Sequence, residues 1–247
     1  MFAKFFYKIY NVVFNGDCAM YDRFYWLKKN LVALNKDSKI LDIGCGNGWA
    51  LTLALKKGFF KAIGLSWSDI DINKNIKRSS REIEFIKGDA RKLDQIIFNT
   101  KFDAILNIEN IEHIINAKKL IKDISNLLNE GGLLYLSTPN ILHKRPYGDK
   151  LISSTPIEDG GHVVRGYSYQ RLEKILLEND LNIIKVNYVT GKLSLFLYDI
   201  QTFLPSFRIL KIFYIPLSML FTRLDNLICP DNTQNHCIAI VAEKIKS

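Results

Sequence analysis

The chain is predicted to be an α/β protein built on a single, mostly parallel sheet with helices on both faces. Two observations carry this. Short apolar runs alternate with helical segments along the chain, and the first run breaks into a loop with glycines at alternate positions, Gly44, Gly46 and Gly48. That first run, Lys39 to Ile43, reads as a buried strand. A helix follows from about Ala50 to Lys57 and ends at Gly58, which fits a C-cap. Alternate glycines let the backbone turn sharply and let a ligand lie directly on it, because no Cβ intervenes. The dinucleotide fingerprint spaces its glycines G-x-G-x-x-G; here the third comes one residue early, and Asp42 sits inside the strand end.

The remaining elements follow in order. A second strand, Lys61 to Leu65, is followed by Ser66. A third, Ile83 to Gly88, runs into Asp89-Ala90, and a fourth, Phe102 to Asn107, leads into Ile108-Glu109-Asn110-Ile111-Glu112-His113-Ile114. The fifth follows the turn Glu130-Gly131-Gly132 as Leu133 to Thr138 and closes with Pro139-Asn140. The last two strands are placed at about Asn182 to Val189 and Cys237 to Ala242, which makes Leu193 to Asn232 an insertion between them.

The pattern Asp42-x-Gly44-x-Gly46-x-Gly48 resembles motif I of the class I S-adenosylmethionine (SAM)-dependent methyltransferases, and the later motifs extend the resemblance over about residues 37 to 190. The resemblance implies a Rossmann-like, seven-stranded sheet whose last strand is antiparallel. It also implies a SAM site made of Asp42, Gly44, Gly46 and Gly48 in the glycine loop, Ser66 at the ribose, Asp89 and Ala90 at the adenine, and Asn107 at the end of the fourth strand. Ser66 departs from the family, which places an acid there. Its hydroxyl hydrogen-bonds a ribose singly and without charge assistance, and Asp69 or Asp71, a turn later, can substitute.

Chemistry concentrates after the fourth strand. Glu109, Glu112 and His113 stand at i, i+3 and i+4, so on a helix they share one face near the carboxyl ends of the strands, where open α/β sheets bind ligands. Two carboxylates and an imidazole suit a divalent cation such as Mg²⁺ or Mn²⁺. The E-x-x-E-H pattern resembles the metal motif of ubiquinone-biosynthesis O-methyltransferases, to which the motif set as a whole is most similar, and also that of small-RNA 2′-O-methyltransferases. Both carry a later histidine in a loop. Here His162 lies in Gly160-Gly161-His162 ahead of a helix, Tyr169 to Glu178, that Ser168 can cap. Two mechanisms stay open by this analogy. A metal held by Glu109, Glu112, His113 and His162 polarises an acceptor hydroxyl, or His162 or His113 acts as catalytic general base without metal. A third reading has Glu109 contact substrate while Glu112 and His113 only stabilise a helix start.

The 247 residues, 48% hydrophobic, suffice for one core plus a small cap. Residues 1–36 are expected to form N-terminal cap helices, 37–191 the SAM-binding core, 192–233 an apolar helical lid and 234–247 the last core strand. The N-terminus is aromatic and basic, without a signal-peptide pattern, and Ile212 to Thr222 is too short to span a bilayer. The lid is read either as a selector of apolar or lipid-linked acceptors, resting on a membrane surface, or as core packing or a dimer interface. Four cysteines lie far apart with no zinc spacing, which points to reduced thiols and a cytoplasmic protein. The net charge of +9 fits a solvated surface first, then an anionic membrane, substrate or RNA. Arg165, Lys144 and Arg145 are candidates for an anionic acceptor, Tyr147 and Tyr167 for a ring, and Tyr21 and Arg23 for the cofactor carboxylate. The functions left open are O-methylation of a small molecule, glycan or lipid-linked acceptor, RNA ribose methylation (disfavoured for want of an RNA-binding signature), and non-catalytic SAM binding.

Overall fold

The computed structural model describes residues 18–76, 82–96, 98–143, 155, 157–203, 217, 220–225, 227 and 233–246. Its strands are β1 (Lys39–Ile43), β2 (Lys61–Ser66), β3 (Ile83–Lys87), β4 (Phe102–Ile108), β5 (Leu128–Pro139), β6 (Leu181–Val189) and β7 (Cys237–Lys244). Its helices are α1 (Cys18–Asn30), α2 (Trp49–Lys56), α3 (Asp69–Ile76), α4 (Ala117–Leu127), α5 (Tyr169–Leu177) and α6 (Lys192–Phe203), with 3₁₀ turns at Ala90–Gln95 and Ile111–His113.

The strands form one seven-stranded sheet in the order β3-β2-β1-β4-β5-β7-β6. Neighbours from β3 to β5 pair in parallel, while β7 runs antiparallel to both β5 and β6. The fold is the expected Rossmann-like one, and its last strand is interior and hydrogen-bonded on both sides. The strand order reverses between β1 and β4. Connections leave in opposite directions there and open a crevice at the carboxyl ends of those strands.

Period-2 alternation divides the core into two layers. Ile40, Ala104, Leu106 and Tyr135 face the side covered by Leu27 of α1 and Leu51 of α2. Leu41, Ile43, Ile105 and Leu136 face the side covered by Leu120 and Ile124 of α4 and Leu172 and Leu176 of α5. Being buried on both faces is why β1 reads as an unbroken apolar run around Asp42. Truncating such a side chain, as in Leu41→Ala, costs about 2–5 kcal/mol.

Helix ends are fixed by local chemistry. Ser168 Oγ accepts from the Arg171 amide (3.2 Å) at the start of α5, as expected. The Asp225 carboxylate accepts from the Leu193 and Ser194 amides (3.1 and 2.6 Å) at the start of α6, which packs against α1. Among the described residues no helix is long and apolar enough to cross a membrane.

Candidate active site

The glycine loop joins β1 to α2. Gly44, Gly46 and Gly48 all adopt left-handed φ (79°, 48° and 71°), a region costly for residues with a Cβ. A Cβ on Gly44 would stand 2.7 Å from Asn110 Oδ1, whereas one on Gly46 would point into open space. The Gly44 and Cys45 amides both donate to the Leu65 carbonyl (3.0 Å), and Asn75 Nδ2 donates to the Gly46 carbonyl (2.6 Å), so main-chain bonds fix the loop's shape. Beneath it Asp42 is buried, and desolvation pushes its carboxyl up to about 7.

Gly44, Ser66, Asp89 and Ala90 line one cleft, joined by Trp67, Arg91, Asn110, His113 and Glu158. Asn107, expected at the cofactor, is fully buried behind this cleft and does not line it; its amide atoms have no hydrogen-bond partner among the described residues. Asp89 accepts from the Arg91 amide (2.9 Å) and guanidinium (2.6 Å), and those bonds hold its carboxyl below the usual range. Arg91 also reaches Glu158 (3.2 Å), whose other oxygen accepts from the Ile115 amide (2.7 Å). The carboxylate expected to take the adenine amino group is therefore shared with a neighbouring cation.

Across the cleft the structure departs from the helix expected over Glu109, Glu112 and His113. Glu109 takes a left-handed φ of 49° and donates its amide to the Ser137 carbonyl (2.9 Å); the chain then makes only the 3₁₀ turn Ile111–His113. The i, i+4 face is lost, and the Glu109 carboxylate turns to Arg23 (3.5 Å), Ser137 Oγ (3.1 Å) and Cys237 Sγ (3.2 Å). Glu112 is 1% exposed and accepts from Thr138 Oγ1 (3.1 Å). Burial, then the charge of Glu109, pushes its carboxyl well above the ordinary range.

Three of the four proposed ligands do meet: donor atoms of Glu112, His113 and His162 lie within 4.8 Å of one another, and Glu109 is not among them. His113 Nδ1 lies 3.0 Å from the Gly161 carbonyl, which can only accept, so Nδ1 carries a proton and the neutral ring has its lone pair on Nε2, 4.0 Å from Glu112 Oε1. The His162 ring stands nearly perpendicular to that of His113 (83°, centroids 4.7 Å apart). Burial and the neighbouring His113 hold it below the usual imidazole range, and its buried Nδ1 has no hydrogen-bond partner among the described residues. The loop that carries it is fastened by the Val163 and Val164 amides, which both donate to the Glu112 carbonyl (2.9 and 3.3 Å).

Tyr167 is buried and donates its hydroxyl to the Ile111 carbonyl (3.4 Å), so it offers no ring for stacking. Arg165 is exposed away from the cleft, Arg23 serves Glu109, and Lys144, Arg145 and Tyr147 lie outside the described residues. Sequence reasoning missed Thr138, Arg91, Asn110 and Glu158. Only Thr138 carried a signal, as part of the Thr-Pro-Asn strand ending.

Residues 21–186, more than half of the chain, match the family described as the methyltransferase domain, and the chain belongs to that family. Its fold and motif order make it a class I SAM-dependent methyltransferase. Over 154 residues it is 30% identical to the ubiquinone biosynthesis O-methyltransferase of Bartonella bacilliformis, covering 59% of this chain and 60% of that protein. The chain spans 35–60% of the length of the first curated relatives it matches. Among solved structures, an S-adenosylmethionine-dependent methyltransferase from Mesorhizobium loti shares the fold with a TM-score of 0.61 at 16% identity, over 93% of this chain and 99% of that one. The N-methyltransferase NodS from Bradyrhizobium japonicum, solved with S-adenosylhomocysteine, shares it with a TM-score of 0.52 at 14% identity, over 89% and 82%.

Proposed function

We propose that the protein transfers the SAM methyl group to a hydroxyl of a small molecule, glycan or lipid-linked acceptor, with Glu112, His113 and His162 as the group that activates that hydroxyl. The observation that carries this is the convergence of those three side chains at a cleft that His113 shares with the glycine loop. Within that group burial moves two side chains toward neutrality, Glu112 upward and His162 downward, which supports a role in proton transfer. The similarity to proteins named as O-methyltransferases supports a hydroxyl acceptor.

In this reading the glycine loop carries the cofactor, Ser66 holds the ribose, and Asp89 shares its carboxylate between Arg91 and the adenine, beside Ala90. Asn110, at the start of the 3₁₀ turn after β4, lines the same cleft, and its buried Nδ2 has no partner among the described residues, which leaves a donor for the cofactor. Bound SAM would supply a methyl group already activated on its sulfonium sulfur, and His162 would take the proton that the acceptor hydroxyl gives up as it is methylated. A neutral His162 is competent for this, and alignment of the oxygen with the already activated methyl matters most.

The same three residues fit a divalent cation, since His113 has its lone pair on the nitrogen nearest Glu112 and a backbone carbonyl fixing the other. One carboxylate and two imidazoles suit Mn²⁺ better than Mg²⁺, which prefers oxygen donors, and Glu109 stays outside the set. A bound ion would supply Lewis-acid polarisation of the acceptor hydroxyl.

Calorimetric titration with S-adenosylhomocysteine, with Mn²⁺, Mg²⁺ or EDTA, followed by a screen of hydroxylated acceptors, tests both parts. Cofactor binding with turnover in EDTA assigns activation to His162 alone, and turnover only with Mn²⁺ assigns it to the ion-holding triad. Absence of any binding would overturn the methyl-transfer reading.

A further inference from the structure

We propose that the cavity between α1, the end of β6, Arg223 and Leu227 is a second binding site, which takes an amphipathic anion: a carboxylate or phosphate carried on an apolar body. This goes beyond the methyl-transfer reading. The cavity has a volume of about 660 Å³, within the range that accepts a ligand of drug size. It lies at the β6 edge of the sheet, shares no lining residue with the cofactor cleft, and is separated from it by the strands between β1 and β6.

Its walls are aromatic and held in place. Trp26 is buried, donates Nε1–H to Asn187 Oδ1 (3.1 Å) and meets the Tyr135 ring edge-on (6.2 Å). Tyr25, Tyr188 and Val189 extend the surface, which suits an apolar body at little cost in side-chain order. The rim is cationic. Lys28, Lys29 and Arg223 are exposed there, and the Arg223 guanidinium lies over the Tyr25 ring (5.6 Å from its centroid) with Nη2 donating to Tyr25 Oη (3.4 Å). None of the three forms a salt bridge among the described residues, where every other lining charge is the single buried carboxylate of Asp22.

Three cations converging on one opening repel one another, and an anion relieves that repulsion. A guanidinium steadied on an aromatic face presents its planar fork to a carboxylate or phosphate. A bare anion leaves the aromatic walls wet, and a neutral apolar molecule leaves the cations uncompensated. An amphipathic anion satisfies both.

The test is calorimetric titration of the full chain with monomeric dodecyl phosphate, dodecanol and inorganic phosphate, together with sedimentation on phosphatidylglycerol vesicles. The expected result is saturable binding of one dodecyl phosphate, at least tenfold tighter than dodecanol or inorganic phosphate. Arg223→Ala and the pair Lys28→Glu/Lys29→Glu should each weaken it at least tenfold, with affinity for S-adenosylhomocysteine unchanged as evidence of an intact fold. Co-sedimentation with the vesicles makes a lipid headgroup the source of the anion; dodecyl phosphate binding without co-sedimentation makes it a free amphiphile. Equal affinity for dodecanol, or binding of dodecyl phosphate unaffected by either substitution, overturns the proposal.

Discussion

The two walls of the cofactor cleft are made of different material. The glycine-loop wall is backbone: three residues with left-handed φ, two amides on the Leu65 carbonyl and a side-chain amide on the Gly46 carbonyl. The opposite wall is side chain: Glu112 buried against Thr138, His113 and His162 ring to ring, and Glu109 in a left-handed conformation that its ion pair with Arg23 helps to hold. Main-chain hydrogen bonds do not titrate, and the one ionisable group beneath the first wall, Asp42, lies under the loop and takes no part in those bonds. The second wall presents ionisable side chains, Glu112, His113 and His162, and chemistry belongs there.

That contrast is sharpest in activity. With an acceptor that gives turnover, His162→Ala should lower the rate about 10²–10⁴-fold and leave S-adenosylhomocysteine affinity within about threefold. Wild-type activity should fall on the acid side at a pH below the usual imidazole range, because burial keeps His162 neutral to lower pH and protonation there removes the base. A proportional loss of cofactor affinity would break the division between the walls. Next comes the loop itself. Gly46→Val should lower S-adenosylhomocysteine affinity about 100-fold, since a β-branched residue at that φ is strained and its side chain fills the open space above the loop; calorimetry reads the loss, and circular dichroism should show the fold retained.

A smaller effect is expected in stability. Glu112 is raised in the folded chain, so above the ordinary glutamate range the folded state binds a proton that the unfolded state has released, and stability declines as pH rises. Glu112→Gln should therefore melt at a higher temperature than wild type at neutral pH, with the difference closing as pH falls below that range. A difference that grows toward acid pH would mean that Glu112 is held as a carboxylate. Smallest of all, Ser66→Asp should tighten S-adenosylhomocysteine binding about threefold, by adding a charge-assisted acceptor at the position where the family carries an acid.

The backbone wall was legible because its signals are local. The β1 span and the three glycines were placed from about ten consecutive residues, and the antiparallel last strand followed from the family resemblance. The side-chain wall was legible only in composition. Glu112, His113 and His162 were singled out, but the i, i+3, i+4 spacing suggested a helix that does not form. What redirects Glu109 is Ser137, Cys237 and Arg23, the first two lying 28 and 128 residues away in sequence. Asn107 shows the same limit: it lies near the end of β4, and that its side chain is fully buried has no local signature. The link from Arg91 to Glu158 spans 67 residues and has no local signature.

The loop that carries His162 is held to the β4 turn chiefly by main-chain atoms, with the Val163 and Val164 amides on the Glu112 carbonyl and the Gly161 carbonyl on His113. Every amino acid but proline supplies that amide, and every one supplies that carbonyl. The loop's side chains are thus free to drift under selection for a new acceptor while the imidazole stays in place. Divergence of specificity in this scaffold can proceed by point substitution without rebuilding the reacting centre.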